Sequence, residues 1–417
     1  MYIERNHYLE KLISCRHNGM IKVVTGVRRC GKSFLLFEIF TKWLSNNGVD
    51  NAHIIQIDLE DRRNSSLRDP DKLLAHIDSQ IRDSKMHYIL IDEVQLVDEF
   101  EDVLNSYLKM RNADVYVTGS NAKFLSKDVI TTFRGRGFEI RVFPLTFREF
   151  FSAFQGTVQA AYYMYSLYGG LPQVLTLDTP ELKSQYLRDL FTETYLKDIH
   201  QRHTLKHDEE MDALLNFISS SIGSLTNPNK LANTMNSVMQ SQITRATVST
   251  YLDYVCESFI VEKAVRYDLK GKRYFDTQAK YYFADMGLRN ARLNFRQTEP
   301  SHIMENIIYN ELRARDYNVD VGVVPVIRRN AAGEQQRAQL EVDFVCNQGS
   351  RRYYIQSAYR MIDDEKVKQE EASLRNVDDS FKKIIVVGDE VPILRSESGI
   401  TTISIYDFLL RENALEL

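Results

Sequence analysis

Residues Gly26-Val27-Arg28-Arg29-Cys30-Gly31-Lys32-Ser33 fit the pattern G-x-x-x-x-G-K-[ST], and Phe34 follows them. Residues of these types at this spacing bind phosphate. The two glycines let successive backbone N–H groups curl around an oxyanion, and a helix starting at the motif turns its N-terminus toward the same charge. Lys32 is placed to pair with the β- and γ-phosphates of a nucleoside triphosphate, and Ser33 to offer a hydroxyl to magnesium. Downstream, Tyr88-Ile89-Leu90-Ile91-Asp92-Glu93 ends an apolar run in two carboxylates. Asp92 then stands at a C-terminal strand edge, where ligands of open α/β sheets sit, and would hold magnesium through water. Glu93 would orient and deprotonate the attacking water. The cofactors implied are ATP and Mg2+, and the reaction expected is hydrolysis to ADP and phosphate.

Further polar residues fit the same chemistry. The run VYVTG ends at Ser120-Asn121, which could touch the γ-phosphate or the water, or could simply be turn formers. Arg134 and Arg136, in FRGRGFEI, precede the next strand. Either could neutralise transition-state charge on a neighbouring subunit, and either could belong to a solvated basic turn.

These residues need a scaffold, and the hydrophobic pattern supplies one. IKVVTG, HIIQIDL (53–59), HYILIDE (87–93), ADVYVTGSN (113–121) and FEIRVFPL (138–145) read as strands. SFLLFEIFTKWL, DKLLAHIDSQI and FEDVLNSYLKM alternate with them at helical spacing. Strands alternating with helices imply a mainly parallel sheet covered on both faces. Residues 150–260 are helix-like, with breaks at Gly169-Gly170-Leu171-Pro172 and Asn227-Pro228. Strands return around NVDVGVV, LEVDFVC, RYYIQSA and KKIIVVG.

The motifs GVRRCGKS, YILIDE, TGSN and FRGRGFEI together resemble an AAA+ ATPase core over about residues 18–150. Segments such as VFPLTFREF, YGGLP, YLKDI, YFADMGLRN, ENIIYNEL and EVDFV extend the resemblance along nearly the whole chain. They match bacterial and archaeal members that carry a winged helix and a nuclease-like C-terminal domain of unknown function. The resemblance implies an α/β P-loop ATPase core at 1–150, a helical lid at 151–205, a winged helix-turn-helix at 206–294 and a restriction-nuclease-like domain at 295–417. It also implies that Gly170, Leu171 and Pro172 lie near the adenine and that Arg5 covers the base.

Two constellations bear on partners. KLANTM and the segment from Thr244 to Val255 read as helix-turn-helix, with Thr247, Ser249 and Thr250 near the exposed start of the second helix. EKAVRYDLKGKRYF then reads as a hairpin wing with Arg266, Lys270, Lys272 and Arg273 at its basic tip. Such geometry can put a helix in the DNA major groove and the wing on phosphates; a lid or a protein contact is the competing use. Farther on, Glu305 and Glu311 share a helix, Asp343 lies on one strand and Gln356 on the next. That pattern belongs to metal-dependent nucleases, but Ala358 stands where their lysine should be. The degenerate site Glu311, Asp343, Gln356 is therefore expected to persist as a scaffold without cleavage.

Bulk properties narrow the class. The chain has 417 residues, 43% hydrophobic and 26% charged, which suits a compact multi-domain protein. A net charge of −4 excludes a uniformly basic coat, so DNA contact needs a local patch. No apolar run is long enough for a membrane span, and MYIERNHYLEKL lacks the apolar core of a signal peptide. Cys15, Cys30, Cys256 and Cys346 show no metal-ligand spacing and suit free thiols in a reducing cytoplasm. His200 and His203 are spaced three apart in KDIHQRH and read as solvated. The expectation is a cytoplasmic AAA+ ATPase associated with double-stranded DNA, coupling nucleotide state to domain or subunit rearrangement and forming a homo-oligomer if its arginine works in trans. The alternatives are a nucleotide-controlled switch for a protein partner and, disfavoured by Ala358, an ATP-dependent nuclease.

Overall fold

The computed structural model describes residues 2–119, 133, 135–196, 199, 208–240, 242–297, 299–329, 335–361 and 364–417. The chain divides into two compact units: Met1–Pro144 with Glu257–Phe259, and Leu145–Cys256 with Ile260–Leu417.

The first unit is built on five parallel strands: β1 (Ile21–Thr25), β2 (Ile54–Asp58), β3 (His87–Asp92), β4 (Ala113–Thr118) and β5 (Gly137–Arg141). Their order is β2-β3-β4-β1-β5, with every neighbouring pair parallel. All five residues of β1 and all six of β3 are buried, as a sheet covered on both faces requires. Ile55, Ile57, Ile89, Ile91, Val115 and Val117 share one core cluster with Leu73, Ile77, Phe100 and Leu104 from helices Pro70–Gln80 and Phe100–Tyr107. Two charges lie inside this sheet. Lys22 on β1 makes an ion pair with Asp114 on β4, and the Tyr116 hydroxyl donates to the same carboxylate at 3.0 Å.

The second unit begins with helices, among them Val158–Tyr168, Pro180–Asp189, Asp208–Ser220, Pro228–Met239 and Arg245–Glu257. It continues into strands β6 (Val261–Asp268), β7 (Arg273–Phe283), β8 (Asn318–Arg329), β9 (Gln335–Gln348), β10 (Arg351–Ala358), β11 (Lys382–Val387), β12 (Leu394–Arg395) and β13 (Ile400–Ser404). These form one mixed sheet of eight strands, ordered β12-β13-β11-β10-β9-β8-β6-β7. Thr226 bridges to Ala279 on β7 through two 2.9 Å backbone hydrogen bonds. Val324, Val342, Tyr354, Leu374, Ile385 and Ile400 form a core cluster on this sheet.

The fold departs from the sequence reading at residue 294. β6 and β7 do form an antiparallel hairpin where a wing was expected. However, β6 also pairs in parallel with β8 through Arg266↔Val321, Tyr267↔Gly322 and Asp268↔Val323. The hairpin is therefore one end of the C-terminal sheet, and 206–294 is not a compact unit apart from 295–417. Residues 145–256 and 260–417 cluster together in one unit. The apolar alternation in β6 reveals that one face is buried, but it cannot reveal which strand lies alongside.

Candidate phosphate site and a buried acidic cluster

The phosphate motif occupies the turn between β1 and a helix that starts at Lys32–Phe34, passes through a π-helical stretch at Leu35–Phe40 and ends with Thr41–Asn46. A side chain at Gly26 would bring its Cβ to 2.1 Å from the Val142 carbonyl oxygen, and the φ of 140° there also favours glycine. Gly31 and Arg29 take positive φ as well, so the loop turns sharply twice. Lys32 is buried, and its ammonium donates to the carbonyls of Gly26 (3.1 Å) and Val27 (3.2 Å). Arg5 pins the loop from outside the motif: it donates to the Cys30 carbonyl at 3.1 Å and to that of Phe143 at 2.7 Å. Cys30 is fully buried with its thiol toward the Val142 carbonyl. Phe34 is exposed and meets the ring of Tyr2 edge-on at 5.9 Å.

Opposite the loop, Asp92 gathers the hydroxyls. Ser33 donates to one carboxylate oxygen at 2.8 Å, and Thr118 donates to the other. Burial pushes the Asp92 carboxyl up to about 6, opposed by the hydrogen bonds from Thr118 and Ser33. Glu93 follows in the left-handed conformation, φ 51° and ψ 48°, where a non-glycine residue is strained. Its backbone N–H donates to the Thr118 hydroxyl at 2.9 Å, and its carboxylate accepts from Gln95. Thr118 thus touches both acidic residues and was missed in the sequence. The β3–β4 register pairs Ile91 with Val117, which sets Thr118 beside Asp92. A polar residue closing an apolar strand was the available signal.

The other expected site residues fall differently. Ser120, Asn121 and Arg134 lie outside the described residues, as do His200 and His203. Arg136 is exposed, and its carbonyl accepts from Ile21 at the start of β1. That is the sheet edge opposite the phosphate loop, so Arg136 does not join the loop of its own chain. In the second unit, Gly170 donates to the Asp285 carboxylate at 2.6 Å and accepts from Leu145 at 2.8 Å. A Cβ at Gly169 would collide with that carboxylate, and one at Gly170 with the Leu145 carbonyl. Burial pushes Asp285 up to about 6, opposed by the Gly170, Leu288, Gly287 and Leu171 amides. The Gly169–Pro172 segment, with Pro172 opening a short 3-10 turn, is thereby explained as a cradle for a buried carboxylate.

Among the residues expected at DNA, Thr247 takes part in the cap of its helix with Thr244 (2.9 Å), and Thr250 bonds back to the Ala246 carbonyl. Ser249 is half-buried. Arg266 is held within the sheet by Gln278 (2.6 Å) and Gln339 (3.0 Å). Lys270, Lys272 and Arg273 are exposed; Lys270 lies 3.8 Å from Asp378, and Arg273 lies 3.8 Å from Asp268.

Of the residues expected in a degenerate nuclease site, Asp343 and Gln356 lie side by side and Glu311 lies elsewhere. Asp343 accepts from the Ser357 amide at 2.9 Å, and its own amide reaches Gln356 at 3.4 Å. Glu311 is not part of this cluster: it pairs with Arg315 at 2.7 Å. Glu305, on the same helix Pro300–Ala314, instead shares a lysine with Asp343. Lys280, from β7, reaches Glu305 (2.8 Å), Glu341 (2.8 Å) and Asp343 (3.3 Å). Tyr282 also donates to Glu305 at 2.7 Å. Burial opposes the Lys280 charge, but the carboxylates, Glu305 foremost, prevail and hold its pKa well above the ordinary lysine value. Burial pushes Glu305 up to about 7.

A five-stranded parallel sheet with a glycine-bounded phosphate loop after β1 and an Asp-Glu pair closing β3 defines a P-loop domain of the AAA+ ATPase class. A family profile described as "AAA domain" matches residues 18–151, and one described as "Domain of unknown function (DUF8612)" matches 159–299. The chain belongs to the same family as an uncharacterized protein of Haemophilus influenzae, with which it is 32% identical over 98% of this chain and 99% of that protein. An uncharacterized protein of Methanocaldococcus jannaschii is 28% identical over 89% of this chain and 82% of its own. Among solved structures, the Aeropyrum pernix ORC1 protein in complex with DNA aligns with 70% of this chain and 92% of its own, at 12% identity and a TM-score of 0.30. A likeness of that size carries no argument for this chain. Among the described residues, no helix is long and apolar enough to cross a membrane.

Proposed function

We propose that this chain binds ATP with magnesium, hydrolyses it, and couples the nucleotide state to rearrangement of its remaining parts or of neighbouring subunits. The observation that carries this reading is the convergence of Ser33 and Thr118 on Asp92, beside a lysine whose hydrogen-bond partners are loop carbonyls. The donor set fits the group. Gly26, Gly31 and the helix N-terminus offer amides to phosphate, and Ser33 with Asp92 offers hard oxygen ligands. Bound magnesium supplies charge neutralisation at the phosphate oxygens. Lys32 orients the phosphates, and Glu93 takes the proton of the attacking water. The strained backbone of Glu93, bonded to Thr118, ties the position of its carboxylate to the end of β4. An arginine of a neighbouring subunit, Arg134 or Arg136, belongs to the same proposal.

Double-stranded DNA is the partner we assign, contacted through Thr247, Ser249, Thr250 and the exposed Lys270, Lys272 and Arg273 in the manner of a winged helix. One observation favours a protein partner instead: Arg266 is committed to glutamines, and Lys270 and Arg273 each have an aspartate nearby. For the nuclease-like region we propose a scaffold that does not cut. Gln356 replaces a carboxylate there, and the lysine ammonium is already held by three acids.

Steady-state ATPase activity of the wild type and of Glu93→Gln, with and without duplex DNA, tests the reading. The expected outcome is a rate that DNA raises and Glu93→Gln abolishes while ATP still binds. A rate that Glu93→Gln leaves unchanged overturns the hydrolytic assignment. A rate that DNA does not alter shifts the partner to a protein.

A further inference from the structure

At the sheet edge opposite the phosphate loop, His53 immediately precedes β2 and His87 is the first residue of β3. The parallel register pairs Ile54 with Tyr88, so the two histidines are cross-strand neighbours, their ring centroids 4.8 Å apart. Asp83, in the turn leading into β3, brings a carboxylate oxygen to 3.0 Å from Nε2 of His53. One ligand atom from each of His53, Asp83 and His87 lies within 4.8 Å of the other two.

The backbone of Lys85 orients two of the three. Its N–H donates to the second oxygen of Asp83 at 2.8 Å, and its carbonyl lies 2.8 Å from Nδ1 of His87. A carbonyl can only accept, so the proton sits on Nδ1 and Nε2 keeps its lone pair. Metal-binding histidines are commonly oriented in this way by their second nitrogen. Asn112 fastens the turn from outside: its side-chain amide donates to the Asp83 carbonyl at 3.0 Å, and its own carbonyl accepts from the His87 amide at 2.8 Å. The His53 hydrogen bond, then the Lys85 amide, hold the Asp83 carboxyl below its ordinary value, which keeps it a carboxylate. His87 is buried, and the His53 side chain is 12% exposed against 45% for Asp83, so the cluster is reached from the Asp83 side.

We propose that His53, Asp83 and His87 form a site for a zinc-class divalent transition-metal ion, with solvent completing the coordination. Two imidazole nitrogens and one carboxylate oxygen suit Zn2+ or Co2+ and not Mg2+, which favours an oxygen shell. Zinc-to-ligand distances of about 2.0–2.2 Å give a tetrahedral edge of roughly 3.3 Å, near the His53–Asp83 separation already present. The ion ties together the starts of two adjacent strands and the turn before the second, at the sheet edge away from the magnesium ligands.

Zn2+ and Co2+ titrations of the chelator-treated full chain, in excess Mg2+, test the site. The wild type is expected to take one Zn2+ per chain and to show intense Co2+ d–d absorption bands that Zn2+ abolishes. In the double variant His53→Gln, Asp83→Asn, both signals and the Zn2+-dependent rise in Tm should be lost. Both residues keep some exposure, so its Tm in chelator should match the wild type, which separates loss of binding from loss of fold. Failure of the wild type to saturate at one ion, or binding that survives in the double variant, overturns the proposal and leaves His53 and Asp83 a plain hydrogen-bonded pair.

Discussion

Lys32 in the first unit and Lys280 in the second are both buried, yet they are held in opposite ways. The hydrogen-bond partners of Lys32 are the neutral carbonyls of Gly26 and Val27. Those of Lys280 are Glu305 and Asp343, with Glu341 in an ion pair 2.8 Å away. A phosphate arriving at the loop can exchange weak neutral acceptors for strong charged ones. An anion arriving at Lys280 would have to compete with carboxylates already in contact. On the proposed function one lysine is poised for a phosphate, and the other balances charge within the fold. Burial of a lysine therefore does not by itself mark a site; what the ammonium is bonded to does.

The largest effect should come from breaking the second arrangement. Lys280→Met removes the cation and leaves Glu305, Glu341 and Asp343 together, at an expected cost of about 3–5 kcal/mol in urea denaturation. The sign with pH follows from Glu305, whose folded value is raised to about 7 by burial. Lys280 also holds Glu305 down, so its removal raises that carboxyl further, and the deficit should grow as pH rises above 7 and level off below it. A deficit below about 1 kcal/mol, the worth of an exposed pair, would remove the contrast. Lys32→Met should act on rate instead, raising the barrier by about 2.7–4 kcal/mol, or 10²–10³-fold in kcat, with a much smaller loss of stability.

The smallest effect sharpens the comparison at Asp92, whose carboxyl lies at about 6 because of burial. Above that pH the charged form bears the full burial penalty. As pH falls toward 4 the penalty is relieved, so this group makes the ligand-free protein more stable while magnesium loses its carboxylate. The kcat/KM profile should therefore show an acid limb near pH 6. Thr118→Val removes a donor that holds the value down, so the limb should move to higher pH, at a stability cost of about 1–3 kcal/mol. A limb that stays in place would mean that Thr118 does not tune this carboxylate.

The parts of the site that lie within one stretch of chain were legible in the sequence. The glycine spacing, Lys32, Ser33 and the Asp92-Glu93 strand end are local patterns, and the five strands that carry them were recognised from their apolar runs. Thr118 was not, because its importance arises from strand register. Lys280 was not, because a lysine was sought two positions after Gln356 and came instead from β7, far earlier in the chain. Glu305 and Glu311 were both recognised, but their phase around the helix separates them by roughly a third of a turn, and only the packed structure says which one faces the sheet. The pairing of the β6–β7 hairpin with the C-terminal sheet was missed for the same reason as Thr118: β6 carries no mark of its alignment with β8.

The bridge between Thr226 and Ala279 has a consequence for the protein in crowded solution. A long outer strand with unpaired backbone groups is a template on which another chain can add a strand, and such edges lead to aggregation. The eight-stranded sheet limits this hazard differently at its two ends. β12 is only two residues long, too short to seed a neighbour. β7 is eleven residues long, and Thr226 occupies the N–H and C=O of Ala279 in its outer row. The segment around Thr226 thus acts as a guard strip, and loosening it would make self-association, before any loss of fold, the first symptom.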